Sequence, residues 1–284
     1  MEHTLTGNFR LHPRFQSQFL EDARDLLVYL PPQYDGRPDE RYPVLYLHDG
    51  QNLFDAATAF GNQEWGVDEA AEELIASGGI EPVIIVGIYN AGEQRLEEYT
   101  HVRNRKGQGG RARRHAQFVV KELKPFIDST YRTLADPPNT GLGGSSLGGL
   151  VTLYMGMHYP QTFGKLIAMS PSIWWARRAI LREIKSAEGK FHQKIWLDVG
   201  TCEGDEPESC VRNVRDLKNA LVQRGWELGA DLKFVEDEGA GHDEKAWGFR
   251  IRDALRFLFP PKTTTLGVDH IADASNFDVG PLVG

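Results

Sequence analysis

Short apolar runs alternate along the chain with longer amphipathic segments. Continuous apolar runs such as Val83–Ile88 (VIIVGI) are typical of strands that helices cover on both faces. The pattern predicts strands at Arg24–Leu30, Pro43–His48, Pro82–Ile88, Thr140–Gly143, Lys165–Met169, Lys194–Val199 and Asp231–Val235. It predicts helices at Glu64–Ala76, Arg113–Ile127, Leu147–Met157, Ala176–Ser186, Ser209–Arg224 and Asp243–Leu258. This alternation indicates an α/β fold with a mostly parallel central sheet and helices on both of its faces.

The periodic pattern ends near the carboxyl end of the chain. After Pro260-Pro261 the sequence becomes rich in Thr, Asp and Gly and has no clear period. We therefore expect one domain over residues 1–260 and a loosely ordered tail over residues 261–284. A chain of 284 residues is long enough to bury a sizeable core.

Composition and charge narrow the possible partners. The formal net charge is −8, which disfavours nucleic acid as a partner. The sequence has no apolar run long enough to span a membrane and no amino-terminal stretch resembling a signal peptide, so we expect no membrane partner and a cytoplasmic location. Cys202 and Cys210 lack the histidine spacing of a zinc site, so we expect no bound metal, and whether the two thiols pair stays open.

The stretch Asn139–Leu153 (NTGLGGSSLGGLVTL) carries the clearest chemical signal. It places Ser146 in a Gly-x-Ser-x-Gly frame between a predicted strand and a predicted helix. A nucleophilic serine at such a turn needs nearly side-chain-free neighbours two positions away on either side. Ser145 fails this requirement because Leu147 follows it by two positions. We therefore expect Ser146 to be a nucleophile on a tight strand-to-helix turn.

A serine nucleophile requires a base, and in folds with this turn the base follows the serine along the chain. Three histidines within the expected domain follow Ser146. His158 lies on the helix that carries its ring away from the turn, and His192 precedes a strand and so lies at the wrong end of the sheet. His242 lies in a glycine-flanked loop after the last predicted strand, where it can reach over the carboxyl edge of the sheet. We expect His242 to be the general base.

The acid that orients the base should follow the strand Lys194–Val199. Glu203 and Asp205 both lie in that loop, and Asp198 is still inside the strand. Glu203 is closer to the strand end, so we favour it over Asp205, although the acidic run from Glu203 to Glu208 is also what a solvated loop would contain.

Backbone amides are expected to stabilise the negative charge of the reaction intermediate. One is the amide of Leu147, at the start of the helix that follows the serine. The other is the amide of Gln51, after the strand Pro43–His48. The segment Asp49-Gly50 is also typical of an ordinary β-turn, and the two roles are compatible.

With these residues assembled, the chain resembles the esterase family of α/β-hydrolases that includes esterase D, siderophore trilactone esterases, and the feruloyl and acetyl xylan esterases of carbohydrate esterase family one. The resemblance covers most of residues 20–260. Its motifs are YPVLYLHDGQNLFD (Tyr42–Asp55), ELKPFIDSTYRT (Glu122–Thr133), GGSSLGGL (Gly143–Leu150), MSPSIWW (Met169–Trp175) and GAGHDEKAW (Gly239–Trp247). It implies the α/β-hydrolase fold, Ser146, His242 and Glu203 as catalytic residues, and the Gln51 and Leu147 amides as the oxyanion hole.

Sequence clues to the substrate are fewer. The connection between Met169 and Lys194 is long enough for one helix, so we expect an open cleft and no large cap domain. Trp174 and Trp175 lie on this connection, where they would bind substrate or pack on the core. The basic loop Arg103–Arg114 would recognise an acidic group if it lies above the site; otherwise it is a charged, flexible loop.

Taken together, these features predict a serine carboxylic-ester hydrolase that forms a covalent acyl-enzyme and needs neither metal nor organic cofactor. The expected substrate is a small-molecule or carbohydrate-linked ester with a short-chain or aromatic acyl group. A thioesterase of the S-formylglutathione hydrolase type and a siderophore trilactone esterase would use the same residues. A non-catalytic binding module is disfavoured, because it would have no reason to keep a serine, an acid and a histidine together.

Overall fold

The computed structural model describes residues 3–187, 189–190 and 192–262, so the expected tail lies outside this part of the chain except for residues 261 and 262. Eight strands of the described chain form one sheet: β1 Asn8–Phe15, β2 Arg24–Leu30, β3 Val44–His48, β4 Ile84–Ile88, β5 Thr140–Ser145, β6 Lys165–Met169, β7 Lys194–Gly200 and β8 Leu232–Asp237. Their order is β1-β2-β4-β3-β5-β6-β7-β8. Strands β4, β3, β5, β6, β7 and β8 are parallel to one another. At one end of the sheet, β2 pairs antiparallel with both β4 and β1.

Helices flank this sheet on both faces. They are α1 Val67–Ala76, α2 Arg95–Tyr99, α3 Ala112–Phe118, α4 Lys124–Thr130, α5 Leu147–His158, α6 Trp175–Ser186, α7 Pro207–Gln223 and α8 Glu244–Leu258. A π-helical turn at Val119–Leu123 joins α3 to α4, so the predicted helix Arg113–Ile127 is a continuous helical run with an internal change of pitch. The α/β fold and its mostly parallel sheet are as predicted.

Alternate side chains of each central strand enter different halves of the core. On β3, Val44 and Tyr46 face the cluster formed with α3 to α7, whereas Leu45 and Leu47 face the cluster formed with α1 and α8. All five residues of β3 are buried, as are all five of β4. A strand buried on both faces reads as a continuous apolar run, which is why the sequence pattern located these strands.

Some elements were not predicted from the sequence. Strand β1 contains Pro13 and has several exposed residues, because it is an edge strand with one neighbour only. The short helix α2 was also missed. The predicted helix Ala176–Ser186 is present, but Ala176–Arg178 have φ values of 46°, 58° and 64°, so its first turn is left-handed. No helix in the described part of the chain is long and apolar enough to cross a membrane.

Parallel pairing places the carboxyl ends of neighbouring strands at one edge of the sheet. Leu47 near the end of β3 pairs with Gly143 of β5, and Ser145 at the end of β5 pairs with Met169 of β6. Met169 in turn pairs with Asp198 of β7. The loops that follow these strands therefore meet above the centre of the sheet, which is where ligands bind in open α/β folds.

Candidate active site

Ser146 lies on the turn between β5 and α5 with φ 56° and ψ −120°, a conformation that is strained for a residue with a side chain. The surrounding glycines make this turn possible. A Cβ atom on Gly144 would lie 3.0 Å from the carbonyl carbon of Gly148, and one on Gly148 would lie 3.3 Å from both the Asp49 carboxylate and the His48 Cβ. The turn therefore has the form of a nucleophile elbow, with the serine hydroxyl above the sheet edge.

His242 connects Ser146 to Glu203. Its Nε2 lies 2.9 Å from the Ser146 Oγ, and its Nδ1 lies 2.9 Å from the Glu203 Oε2. With the ring proton on Nδ1, the imidazole donates to the carboxylate and accepts from the serine hydroxyl. The Glu203 side chain is 3% exposed and that of His242 is 36% exposed. This geometry allows a serine to pass its proton to a neutral imidazole whose orientation a buried carboxylate fixes.

The loops that carry His242 and Glu203 are packed directly against each other. The Cys202 amide donates to the Ala240 carbonyl at 2.9 Å. A Cβ atom on Gly200 would lie 2.3 Å from that same carbonyl oxygen, so only glycine permits this approach. Glu203 and His242 are thereby held within hydrogen-bonding distance.

A buried network that the sequence did not reveal holds the Glu203 carboxylate. Its Oε1 accepts hydrogen bonds from the Gly200 amide at 2.6 Å and from the Ser170 hydroxyl at 2.5 Å. The Ser170 oxygen accepts in turn from the Trp247 Nε1 at 3.0 Å and from the Arg250 Nη2 at 3.1 Å. The Ser170 hydroxyl thus makes one donated and two accepted bonds, all away from solvent.

The two other candidate acids have different environments. Asp205 is exposed, and among the described residues its side chain has no hydrogen-bond partner. Asp198 is fully buried and accepts from the Ser170 amide and the Trp196 Nε1 at 3.1 and 2.6 Å. Burial raises the pKa of Asp198 to about 6, although the nearby Arg250 guanidinium opposes the shift. Of the three carboxylates, Glu203 is the one that contacts His242.

Gln51 lies in a short 3-10 turn, Gly50–Asn52, that follows β3. Gly50 packs so tightly on β4 that a Cβ atom would lie 2.6 Å from the Gly87 carbonyl carbon. Because the first amides of a helix lack intrahelical partners, the amides of Gln51 and of Leu147, the first residue of α5, are available to a ligand. Gln51 lines the same cavity as Ser146 and His242.

Beside the 3-10 turn, Asp49 forms an ion pair that was missed from the sequence. The Arg95 Nε and Nη2 donate to the two Asp49 carboxylate oxygens at 2.7 and 2.8 Å, and the Asn90 side-chain amide donates to the same carboxylate at 2.7 Å. The Arg95 guanidinium also lies over the Tyr99 ring, 5.1 Å from its centroid.

Two cavities adjoin His242. We call the larger, of about 330 Å³, the polar cavity; it is lined by Asp49, Gln51, Asn52, Phe60, Asn90, Arg95, Ser145, Ser146, His242, Glu244 and Trp247. We call the smaller, of about 180 Å³, the Trp174 cavity; it is lined by Ser170, Pro171, Ile173, Trp174, Val199, Glu203, Gly204, Cys210, Asn213, Val214 and His242. His242 therefore lines both cavities, one with Ser146 and the other with Trp174.

The two tryptophans expected near the substrate occupy different environments. Trp174 is 57% exposed and lines the Trp174 cavity. The expectation for Trp175 is corrected: it is 3% exposed, and its Nε1 donates to the Val102 carbonyl at 2.8 Å. Its ring instead covers Gly109, where a Cβ atom would lie 2.8 Å from it. Trp175 therefore packs the preceding loop onto the core.

The basic loop Arg103–Arg114 is likewise not part of the site. Arg111 lies 3.4 Å from Glu21 and 3.8 Å from Glu97, and Arg114 lies 3.9 Å from Glu21. Residues of this loop are absent from the linings of the polar and Trp174 cavities. Cys202 and Cys210 are free thiols. No three His, Cys, Asp or Glu side chains within the described ranges are grouped closely enough to hold a metal ion.

Comparison with known proteins identifies the family of the chain. Residues 17–258 match the model of the family described as "Putative esterase". The chain is 27% identical over 253 residues to the uncharacterized protein YbbA of Bacillus subtilis, covering 86% of this chain and 95% of YbbA. It is 28% identical over 248 residues to the ferri-bacillibactin esterase BesA of the same species, covering 79% of this chain and 81% of BesA.

A solved structure has a fold similar to that of this chain. The BES protein from Bacillus cereus superimposes with a TM-score of 0.70 at 25% sequence identity, covering 91% of this chain and 97% of that protein. The family match extends over all strands from β2 to β8 and over the loops that carry Ser146, Glu203 and His242. The chain therefore belongs to the family described as "Putative esterase", a family of ester hydrolases with an α/β fold.

Proposed function

We propose that the protein is a serine carboxylic-ester hydrolase in which Ser146 is the nucleophile, His242 the general base and Glu203 the acid that orients the base. The observation that carries this proposal is the pair of 2.9 Å contacts that His242 makes, one to the Ser146 Oγ and one to the Glu203 Oε2. The strained backbone at Ser146 supports it, since such strain persists at sites where geometry matters for function.

In the first half of the reaction, the Ser146 Oγ attacks the carbonyl carbon of the ester as its proton moves to the His242 Nε2. The carbonyl oxygen becomes an oxyanion, which the Gln51 and Leu147 amides stabilise. The protonated imidazole then donates its proton to the alcohol oxygen as the bond from carbon to that oxygen breaks. The alcohol leaves, and the acyl group stays on Ser146.

In the second half, a water molecule takes the place of the alcohol. His242 removes a proton from the water, the hydroxyl attacks the acyl carbonyl, and the same amides stabilise the second oxyanion. The imidazole returns the proton to the Ser146 Oγ as the carboxylic acid leaves. The buried Glu203 carboxylate stabilises the imidazolium that forms in each half.

The cavities support a short or aromatic acyl group. Only Ser170–Trp174 connect β6 to α6, so no cap covers the Trp174 cavity from this connection. A cavity of about 180 Å³ with an exposed indole at its edge suits a small acyl group or an aromatic ring stacked on Trp174. The alcohol then occupies the polar cavity, which His242 also lines.

Active-site labelling tests the nucleophile. A fluorophosphonate should modify Ser146 and abolish hydrolysis of p-nitrophenyl acetate, with the adduct located by peptide mass mapping. Ser146→Ala should lower kcat on the order of 10³–10⁶-fold. Its melting temperature should stay within a few degrees of the wild type, which excludes unfolding as the cause. An adduct on the adjacent Ser145, or a Ser146→Ala variant with nearly normal kcat, would refute the assignment.

A second candidate is a siderophore esterase, which similarity to the ferri-bacillibactin esterase BesA supports. The same Ser146 and His242 would hydrolyse a trilactone. Incubation with ferric bacillibactin, followed by mass spectrometry of the products, tests it. Linear fragments that wild type forms and Ser146→Ala does not would favour this function, whereas intact trilactone after hours beside rapid turnover of aryl acetates would exclude it.

A further inference from the structure

Glu244 places a second carboxylate in the polar cavity. It is the first residue of α8, two positions after His242, and it lines the cavity together with Ser146. The Asn52 side-chain amide donates to its Oε1 at 3.2 Å, and no other side chain of the described residues hydrogen-bonds to it. A neutral amide satisfies part of the carboxylate's hydrogen-bonding capacity but none of its charge.

The other charges in the polar cavity compensate each other. Arg95 is held by two hydrogen bonds to Asp49, so the pair is neutral as a unit. Glu244 has no such partner. Burial raises the pKa of Glu244 and the charges of Asp49 and Asp243 add to this shift, whereas a hydrogen bond from its own backbone amide and the nearby His242 oppose it. When Glu244 is ionised, its charge is not balanced by a cationic side chain of the cavity, because Arg95 is paired with Asp49, and a cation on the substrate would neutralise it.

An aromatic ring at the edge of the polar cavity is a second feature that favours a cation. Phe60 lines the polar cavity, yet it is 77% exposed, an unusual position for a phenylalanine. The face of an aromatic ring attracts an ammonium group, and quaternary ammonium groups are commonly bound by such rings. A carboxylate and a phenyl ring lining one cavity are thus a suitable pair for an ammonium ion.

We infer that Glu244 is a specificity-determining residue and that the protein favours esters whose alcohol carries an ammonium group, bound between Glu244 and Phe60. This inference rests on the proposed function, because it assigns the polar cavity to the alcohol. The ammonium pairs with the carboxylate and does not take part in bond breaking. An anionic alcohol, or an anionic ferric triscatecholate, meets an uncompensated carboxylate in the same place and binds more weakly.

Three acetate esters with different charges on the alcohol test the inference. They are acetylcholine, its neutral carbon isostere 3,3-dimethylbutyl acetate, and anionic 4-acetoxybutanoate. Each hydrolysis releases acetic acid, which a pH-stat measures directly. We expect kcat/KM for acetylcholine to exceed that for the isostere by about tenfold, as one partly screened ion pair with a cation–π contact produces, and the anion to be the poorest substrate.

Two variants separate the role of this carboxylate from the total charge of the protein. Glu244→Gln keeps the shape and the contact with Asn52, and it should bring the ratio of acetylcholine to isostere close to one. Glu238→Gln removes one charge from an exposed acid on the loop that carries His242, and it should leave the ratio unchanged. Melting temperatures within a few degrees of the wild type show that each variant is folded.

The outcomes distinguish this inference from the proposed function. If wild type hydrolyses phenyl acetate but treats acetylcholine and its isostere alike, or if Glu244→Gln keeps the wild-type ratio, the cation preference is refuted and the esterase mechanism stands. A preference for the anionic ester also refutes it and assigns the cavity's specificity to Arg95. If wild type hydrolyses neither phenyl acetate nor any of the three acetates, the proposed function itself fails.

Discussion

Replacing Ser170 tests how the buried network positions the acid. Ser170→Ala removes a hydroxyl that donates to Glu203 and accepts from Trp247 and Arg250. Within the described residues, the bond from Nη2 to the Ser170 oxygen is the only hydrogen bond of the Arg250 guanidinium, because its Nε and Nη1 have no hydrogen-bond partner. The change leaves two buried donors without an acceptor, at about 1–3 kcal/mol each. We expect the free energy of unfolding to fall by about 2–6 kcal/mol.

The same substitution should slow the reaction. Glu203 keeps the Gly200 amide at 2.6 Å but loses the second donor that fixes its Oε1. The carboxylate, and with it the His242 ring, gains freedom to rotate, so fewer molecules have the serine, base and acid aligned. We expect kcat for p-nitrophenyl acetate to fall about tenfold with little change in KM, because Ser170 adjoins the acid and not the reacting ester.

A second variant separates stability from positioning. Ser170 has φ 42°, in the left-handed region that glycine tolerates and alanine does not. Ser170→Gly should therefore be more stable than Ser170→Ala by roughly 1 kcal/mol, yet lose the same factor in kcat. Urea denaturation gives the first quantity and steady-state kinetics the second. If both variants keep the wild-type kcat while stability falls, Ser170 is purely structural and the positioning argument is refuted.

Two further predictions concern the acid and the pH dependence of stability. Glu203→Gln should lower kcat by on the order of 10²–10⁴-fold and Asp205→Asn by less than about twofold, and the reverse ranking in steady-state assays would transfer the role to Asp205. Burial is the main cause that lowers the pKa of His48 and His115 below 6.5 in the folded state, so the unfolded chain takes up protons first as the pH falls. The contribution of these two histidines to stability should thus decrease below about pH 6.5, whereas Asp198, whose pKa burial raises, contributes in the opposite direction. Imidazole resonances of His48 and His115 that titrate near pH 6.5 in the folded protein would contradict neutral buried histidines.

Local steric requirements explain what the sequence could predict. The elbow at Ser146 needs glycine at positions 144 and 148. Both positions lie two residues from the serine, so the local sequence alone shows that this requirement is met. Strands such as β4 are covered on both faces and read as apolar runs, so they were located to within two residues. Strand β1 lies at the sheet edge, where Pro13 and exposed side chains are tolerated, so its pattern was too weak to recognise.

Contacts between distant segments explain what the sequence could not predict. Arg250 reaches Ser170 across 80 positions, and Arg95 reaches Asp49 across 46. Nothing near either arginine indicates its partner. Trp174 and Trp175 are adjacent and chemically identical, and only the direction of the chain at the start of α6 exposes one and buries the other. The sequence predicted that the loop carrying His242 reaches the carboxyl edge of the sheet, but it did not predict the side chains that fix the loops there.

The position of α8 has a consequence for the moment at which the protein becomes active in the cell. His242 immediately precedes α8, and it follows Ser146 by 96 residues. At about 5–20 residues per second, a ribosome adds the proposed base His242 roughly 5–20 s after the proposed nucleophile Ser146. Helix α8 also packs on α1, near the start of the chain, so one face of the sheet stays uncovered until the last described helix has been synthesised. A nascent chain therefore carries its serine without a base, and ester hydrolysis begins only when the first and last helices have met.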